Sequence, residues 1–172
     1  PSNSLSSLSL TVTLSASADV SDASSRAATW DEVHSAYLEQ ALALIEGKCD
    51  IILIETIFDV LNAKAAIKAT LDAFEQTGIT LPVMISVTFI QEEGDRTVFG
   101  QSVEAFWNTI EHVKPLTVGL NCGLGATGLR SKLATLARIP PGSSVSRITF
   151  SLVFKASSAR VVGILAAFIN SL

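Results

Sequence analysis

The chain has 172 residues, 48% hydrophobic and 16% charged, with a net charge of −4. That is one domain's worth of sequence with enough apolar material for its own core, which excludes a disordered polymer. The longest uncharged apolar runs, such as Val161 to Leu172, are too short to cross a bilayer as a helix, so no membrane partner is expected.

Charge is unevenly spread. All 16 acids lie at or before Glu111, and seven of the 12 basic residues lie after it. A basic half can mark a nucleic-acid surface, but here the cations are scattered among apolar residues with little aromatic interleaving. No nucleic-acid partner is expected.

The opening PSNSLSSLSLTVTLSASADVSD is serine-rich, and Arg26 is the first basic residue. It fits neither a secretion signal nor a transit peptide, so a soluble cytoplasmic protein is expected. Residues 1–28 read as an irregular or weakly extended lead-in. Thr29 to Glu32 (TWDE) then forms a capping box and starts a helix. Its inward stripe is Val33, Ala36, Tyr37, Ala41, Leu44 and Ile45, and Gly47 can end it.

IILIETI follows, an apolar run of strand length interrupted by one acid. Such runs suit strands of a parallel sheet covered on both faces. Asp59 to Thr77 predicts a second amphipathic helix, with Val60, Ala63, Ile67, Leu71 and Phe74 inward, closed by Gly78. PVMISVTFI predicts the next strand, QEEGDRTVFGQ a polar loop, and SVEAFWNTIEHV a third helix buried through Val103, Phe106, Trp107, Ile110 and Val113. LTVGLN predicts a third strand and TGLRSKLATLARI a fourth helix. A helix, then strand and helix three times over, means a parallel α/β fold. Beyond Ile139 the pattern weakens: PPG breaks the helix, ITFSLVF reads as a strand and SSARVVGILAAFINSL as a short helix.

Parallel α/β folds gather their chemistry at the carboxyl ends of the strands. Glu55 lies there within an apolar strand, and by alternation it shares a face with Ile51 and Leu53. A buried carboxylate needs a cationic or hydrogen-bonding partner. That partner is either a structural ion pair or a ligand's ammonium. On the next strand Met84, Ser86 and Thr88 share one face, a pattern that fits a barrel wall near its mouth or a satisfied hydroxyl pair in the core.

Cys122 follows the third strand directly, beside Asn121. It can be a nucleophile, a metal ligand or a small buried hydrophobe. Cys49 precedes the first strand, so the two thiols belong at opposite ends of a sheet whose strands run about 20 Å at ~3.3 Å per residue. They can share neither a disulfide nor a metal. His34 and His112 fall on helices, where solvated side chains are expected. Gly123, Gly125 and Gly128 form G-x-G-x-x-G between strand and helix, as in a dinucleotide site. That fingerprint also wants an acid about 20 residues on, and none follows Glu111. A nucleotide-binding module through Gly123–Gly128 is therefore the lesser alternative to a plain tight turn.

Taken together, LIETIFDVLNAKAAI, PVMISVTF, GQSVEAFWNTIEHV and TVGLNCGLG resemble the homocysteine S-methyltransferase family, specifically the homocysteine-binding domain of cobalamin-dependent methionine synthases. The resemblance runs from about residue 1 to Ile139. It implies an incomplete (β/α)8 TIM barrel, its middle β/α units only, over residues 1–139, with a divergent tail at 140–172. It implies that Cys122 is the first zinc-binding cysteine, that Asn121 borders the substrate pocket and that Glu55 holds the homocysteine amino group. Ser86 and Thr88 match positions near the barrel mouth.

Zinc is the implied cofactor. Cobalamin and folate are served by other domains of the parent enzyme, and the methyl group goes to the homocysteine thiolate to give methionine. Two departures accompany the match. The family's adjacent pair of cysteines in a Gly-Gly-Cys-Cys context is absent from these 172 residues, and the strands that open the barrel are missing. A fragment inactive by itself is therefore expected. The alternative function is a degenerate barrel piece that serves only as a binding scaffold.

Overall fold

The computed structural model describes residues 7–10, 22, 25, 27–90, 96–121, 126–139 and 147–150. For 7–10, 126, 127 and 147–150 the backbone alone is described. The elements are β1 (Ser7–Leu10), α1 (Trp30–Glu46), β2 (Ile51–Ile57), α2 (Val60–Thr77), β3 (Val83–Thr88), α3 (Val103–Ile110), β4 (Thr117–Asn121), α4 (Ala126–Arg138) and β5 (Arg147–Phe150). A 3₁₀ turn, Glu111–Val113, follows α3.

The helices begin and end where side-chain chemistry dictates. Thr29 and Glu32 form the reciprocal capping box, with Glu32 Oε2 accepting from the Thr29 backbone N–H at 2.8 Å. Asp59 caps α2 by accepting from the Leu61 N–H at 2.9 Å, and Gly78 closes it in the left-handed conformation at φ +68. Ser102 caps α3 by accepting from the Ala105 N–H. The α-helix expected over SVEAFWNTIEHV tightens to 3₁₀ at Glu111. Pro115 disfavours a right-handed helical Lys114, which instead adopts φ 48. At the end of α1 the left-handed residue is Lys48 (φ 59), not Gly47.

All strand pairs are parallel, in the order β1-β2-β3-β4-β5. The lead-in expected to be irregular or weakly extended thus contains a strand paired with β2, Ser7 opposite Ile51. Its SLSLTVT alternation has the period of a strand and was obscured by the serine content. Of the expected strand ITFSLVF, Ile148 to Phe150 belong to β5 on the far edge, and the rest lies outside the described residues. The helix expected over SSARVVGILAAFINSL lies outside the described residues.

Each helix touches the next, α1 to α2, α2 to α3 and α3 to α4, so they form one row on one side of the sheet. A single core joins them to Ile52, Ile54 and Ile57 of β2, Ile85 and Val87 of β3, and Val118 and Leu120 of β4. Leu53 is buried yet stands outside that core, because it belongs to the opposite face. Sequential parallel strands with helices on one side make a singly wound sheet. A doubly wound one would reverse its strand order and cover both faces.

The buried stripes match the sequence at Val33, Tyr37, Ala41 and Ile45, and at Val103, Phe106, Trp107 and Ile110. Leu71 departs from expectation at 42% exposure. The alanine-rich α2 buries more than half its circumference, from Asn62 and Ala63 round to Ala73. Its free strip runs through Leu61, Lys64, Lys68, Leu71 and Glu75, three or four residues apart, so Leu71 sits among the charges. Among the described residues no helix is long and apolar enough to cross a membrane.

Candidate functional site

Strand register places the polar positions of three strands in rows on the face away from the helices. Leu53, Met84 and Thr117 form one row, Ser86 and Gly119 the next, and Thr88 and Asn121 the last. The rows approach the carboxyl ends, where the Phe58–Asp59 connection leaves the sheet and the 96–101 connection lies.

β2 is irregular at this end. Ile54 pairs with Ile85 and Ile57 with Val87, so Glu55 and Thr56 together stand opposite the single residue Ser86. Two residues against one is a β-bulge, which bends the strand and re-aims side chains. Thr56 has φ 61, left-handed backbone that a β-branched residue rarely adopts and that costs about 1–3 kcal/mol. Simple alternation for Glu55 with Ile51 and Leu53 therefore gives way to a bulge that carries Glu55 and Thr56 together between two core isoleucines.

Asn121 compensates for that strain. It is fully buried. With its amide oriented to satisfy every neighbour, Nδ2 donates to Thr88 Oγ1 (2.7 Å) and to the Val87 carbonyl (3.3 Å). Its Oδ1 accepts from the Thr56 backbone N–H (3.2 Å) and from Thr56 Oγ1 (2.9 Å). One side chain thus ties the ends of β2, β3 and β4. Ser86 Oγ is buried and has no hydrogen-bond partner among the described residues, a situation worth about 1–3 kcal/mol to relieve. Glu55 is half-buried, with Oε2 closed to solvent.

The structure therefore brings four of the five expected site residues to one end of the sheet. Thr88 and Asn121 are in direct contact, Ser86 lies one row back and Glu55 lies on the neighbouring bulge. Cys122 lies outside the described residues, as do Gly123 and Gly125 of the glycine turn. At the same end the Phe58 and Phe99 rings stack at 6.3 Å, joining the two connections.

Sequence reasoning passed over Thr56 and Lys132. Thr56 carried a signal in the ET pair, two successive polar residues that break the apolar run of β2. Lys132 is 1% exposed, and its Nζ sits 5.9 Å from the centre of the Phe89 ring. Its spacing from Leu129 and Leu136, both buried, already put it on the inward stripe of α4.

The remaining candidates are elsewhere. Cys49 precedes β2 at the amino end, is 5% exposed, and burial pushes its thiol up from the ordinary range. His112 is exposed as expected. His34 is not free in solvent, since its Nε2–H donates to Asp72 Oδ2 at 2.8 Å, joining α1 to α2. Among the described residues no group of three or more His, Cys, Asp or Glu side chains could hold a metal.

Parallel α/β folds gather their chemistry at the carboxyl ends of the strands, and there this sheet carries a carboxylate, several hydroxyls and a buried amide. A sequence profile described as homocysteine S-methyltransferase matches residues 5–160. The chain belongs to that family, a methyltransferase family whose acceptor is a thiol. The match continues past Ile139 and includes β5.

Proposed function

We propose that this chain is the homocysteine-holding part of a methionine-synthase-type S-methyltransferase, built as the middle of a (β/α)8 barrel. Sequential strand order and one-sided helices support the barrel, because that is how consecutive β/α units curl into a ring. The division into a barrel piece (1–139) and a divergent tail (140–172) belongs to this reading, with β5 as the part of the tail that still joins the sheet. A cytoplasmic location, and cobalamin and folate handled by domains outside these residues, belong to it as well.

The observation that carries the proposal is the Thr56–Asn121–Thr88 bridge beside Glu55, on the face the helices leave free. There the Glu55 carboxylate accepts charge-assisted hydrogen bonds from the α-ammonium of homocysteine. Ser86 Oγ offers a hydroxyl to the same ligand, and Asn121 and Thr88 shape the wall. The substrate thiol gives up its proton to solvent, and the sulfur lone pair takes the methyl group. The new S–C bond forms as the donor–methyl bond breaks, its electron pair returning to the donor.

Zinc does not fit this chain's residues alone. Zinc sites take three or four protein ligands, and Cys122 is the one thiol the sequence offers beyond Cys49 at the other end of the sheet. Cys122 would be one ligand of a site whose others come from outside these residues.

Calorimetric titration of the chain with L-homocysteine tests the proposal. Glu55→Gln is expected to weaken binding by at least about tenfold, the scale of one charged hydrogen bond. Equal binding by parent and variant rejects the assignment of Glu55. Zinc uptake in the presence of homocysteine is expected to fall in Cys122→Ser. The lone thiol at this end of the sheet also supports a second reading, a barrel piece that binds without catalysis. Homocysteine binding with no methyl transfer, after the missing ligands are supplied in trans, selects it.

A further inference from the structure

We propose that Thr56 is a positioning residue of this site, the element that sets the direction in which Glu55 presents its carboxylate to an amino-acid thiol. The inference rests on the homocysteine reading for its ligand and on the geometry of β2 for its mechanism. Ile54 and Ile57 both belong to the helix-packed core although they stand three positions apart, with Glu55 and Thr56 between them. A regular strand returns to the same face every second residue. The bulge therefore takes Glu55 and Thr56 out of the alternation together.

What holds the bulge is specific. The left-handed φ of 61 at Thr56 turns its backbone N–H toward β4, and the same residue's hydroxyl follows it to the same acceptor, Asn121 Oδ1. Two donors from one residue on one oxygen fix both the peptide and χ1. Asn121, fully buried and held by Thr88 and the Val87 carbonyl, cannot follow if Thr56 turns away. Strained backbone of this sort persists where its surroundings over-determine it, and it clusters at ligand sites. Glu55 is the residue immediately before that fixed peptide, so its Cα–Cβ direction is set by it.

The test uses the intact chain, with Thr56→Val (which removes the hydroxyl and keeps the branching), Thr56→Ser and Thr56→Gly. Affinity is measured for L-homocysteine and for mercaptobutyrate, the same thiol acid without its amino group. Thr56→Val is expected to weaken homocysteine about tenfold while mercaptobutyrate changes less than about twofold, since only the ammonium contact is misdirected. Thr56→Ser is expected to restore the difference and Thr56→Gly to lose it. Equal weakening of both ligands, or of neither, overturns the proposal.

Should the parent chain bind neither ligand, the homocysteine reading fails separately, and the Asn121 side-chain amide resonances then decide the role of Thr56. Shifted and faster-exchanging signals in Thr56→Val, restored in Thr56→Ser, support the positioning role. Unchanged signals in Thr56→Val reject it.

Discussion

Thr88 Oγ1 lies 2.7 Å from the side-chain amide of Asn121, and both residues sit at the last paired position of their strands. A hydroxyl and an amide buried at the carboxyl end of a parallel sheet would each lose water's hydrogen bonds on folding. Each recovers them from the other, and Asn121 extends the chain to Thr56 on β2. Stability and site geometry are coupled at this point, because the groups that satisfy one another also fix the wall beside Glu55.

Asn121→Ala is expected to destabilise the chain by roughly 2–3 kcal/mol, since it strands the Thr56 N–H in a partly closed space and empties a fully buried position. Urea unfolding followed by circular dichroism measures it. A change under about 0.5 kcal/mol would mean that the bridge contributes little.

Much of the fold was legible because its signals are local. TWDE announced a capping box, Gly78 a left-handed helix end, and IILIETI and PVMISVTFI two strands. β1 was harder, since it is an edge strand whose serines hide the alternation. In α2, alanine is small enough to be buried over a wide arc, so periodicity alone did not place Leu71. Of the proposed site residues, Glu55 stood out as an acid in an apolar strand, alternation grouped Ser86 with Thr88 on one face, and Asn121 followed from the family resemblance. The bulge at Thr56 was not legible, because left-handed backbone at a threonine is imposed by a partner 65 positions away. The His34–Asp72 bond is likewise tertiary, spanning two helices.

Phe106→Ala and Leu71→Ala should separate the observed core from the one read off periodicity. Phe106 has no exposed surface, so its truncation is expected to cost about 3–5 kcal/mol. Leu71 stands in the charged strip of α2, and its truncation is expected to change stability by under about 0.5 kcal/mol. Comparable losses at both sites would contradict the orientation of α2.

Asp72 gives a pH dependence with a definite sign. Its carboxyl is held below the ordinary aspartate range mainly by the hydrogen bond from Lys68, with a further contribution from His34 and an opposing push from burial. A group lowered in the folded state contributes fully above its unfolded value and loses that contribution as the pH falls through its folded one. Lys68 is more than half exposed, so solvent screening keeps the effect small. Asp72→Asn is expected to lower stability by roughly 0.5 kcal/mol near neutral pH. The gap from the parent should close as the pH drops below about 4. Melting curves across that range check it, and a gap that widens on acidification would reverse the assignment.

Cys49 decides how any thiol measurement on this protein is to be interpreted. It is buried at the amino end of β2, and burial raises its thiol above the ordinary range. Because the thiolate is the reactive form, both effects slow its alkylation. In a Cys122→Ser background, iodoacetamide is expected to modify Cys49 only as fast as the chain opens, and to accelerate with urea in step with unfolding. Labelling that is fast and insensitive to urea would place Cys49 in contact with solvent. Slow labelling makes thiol reactivity in the parent chain a direct report on Cys122, the sulfur on which the proposed zinc contact depends.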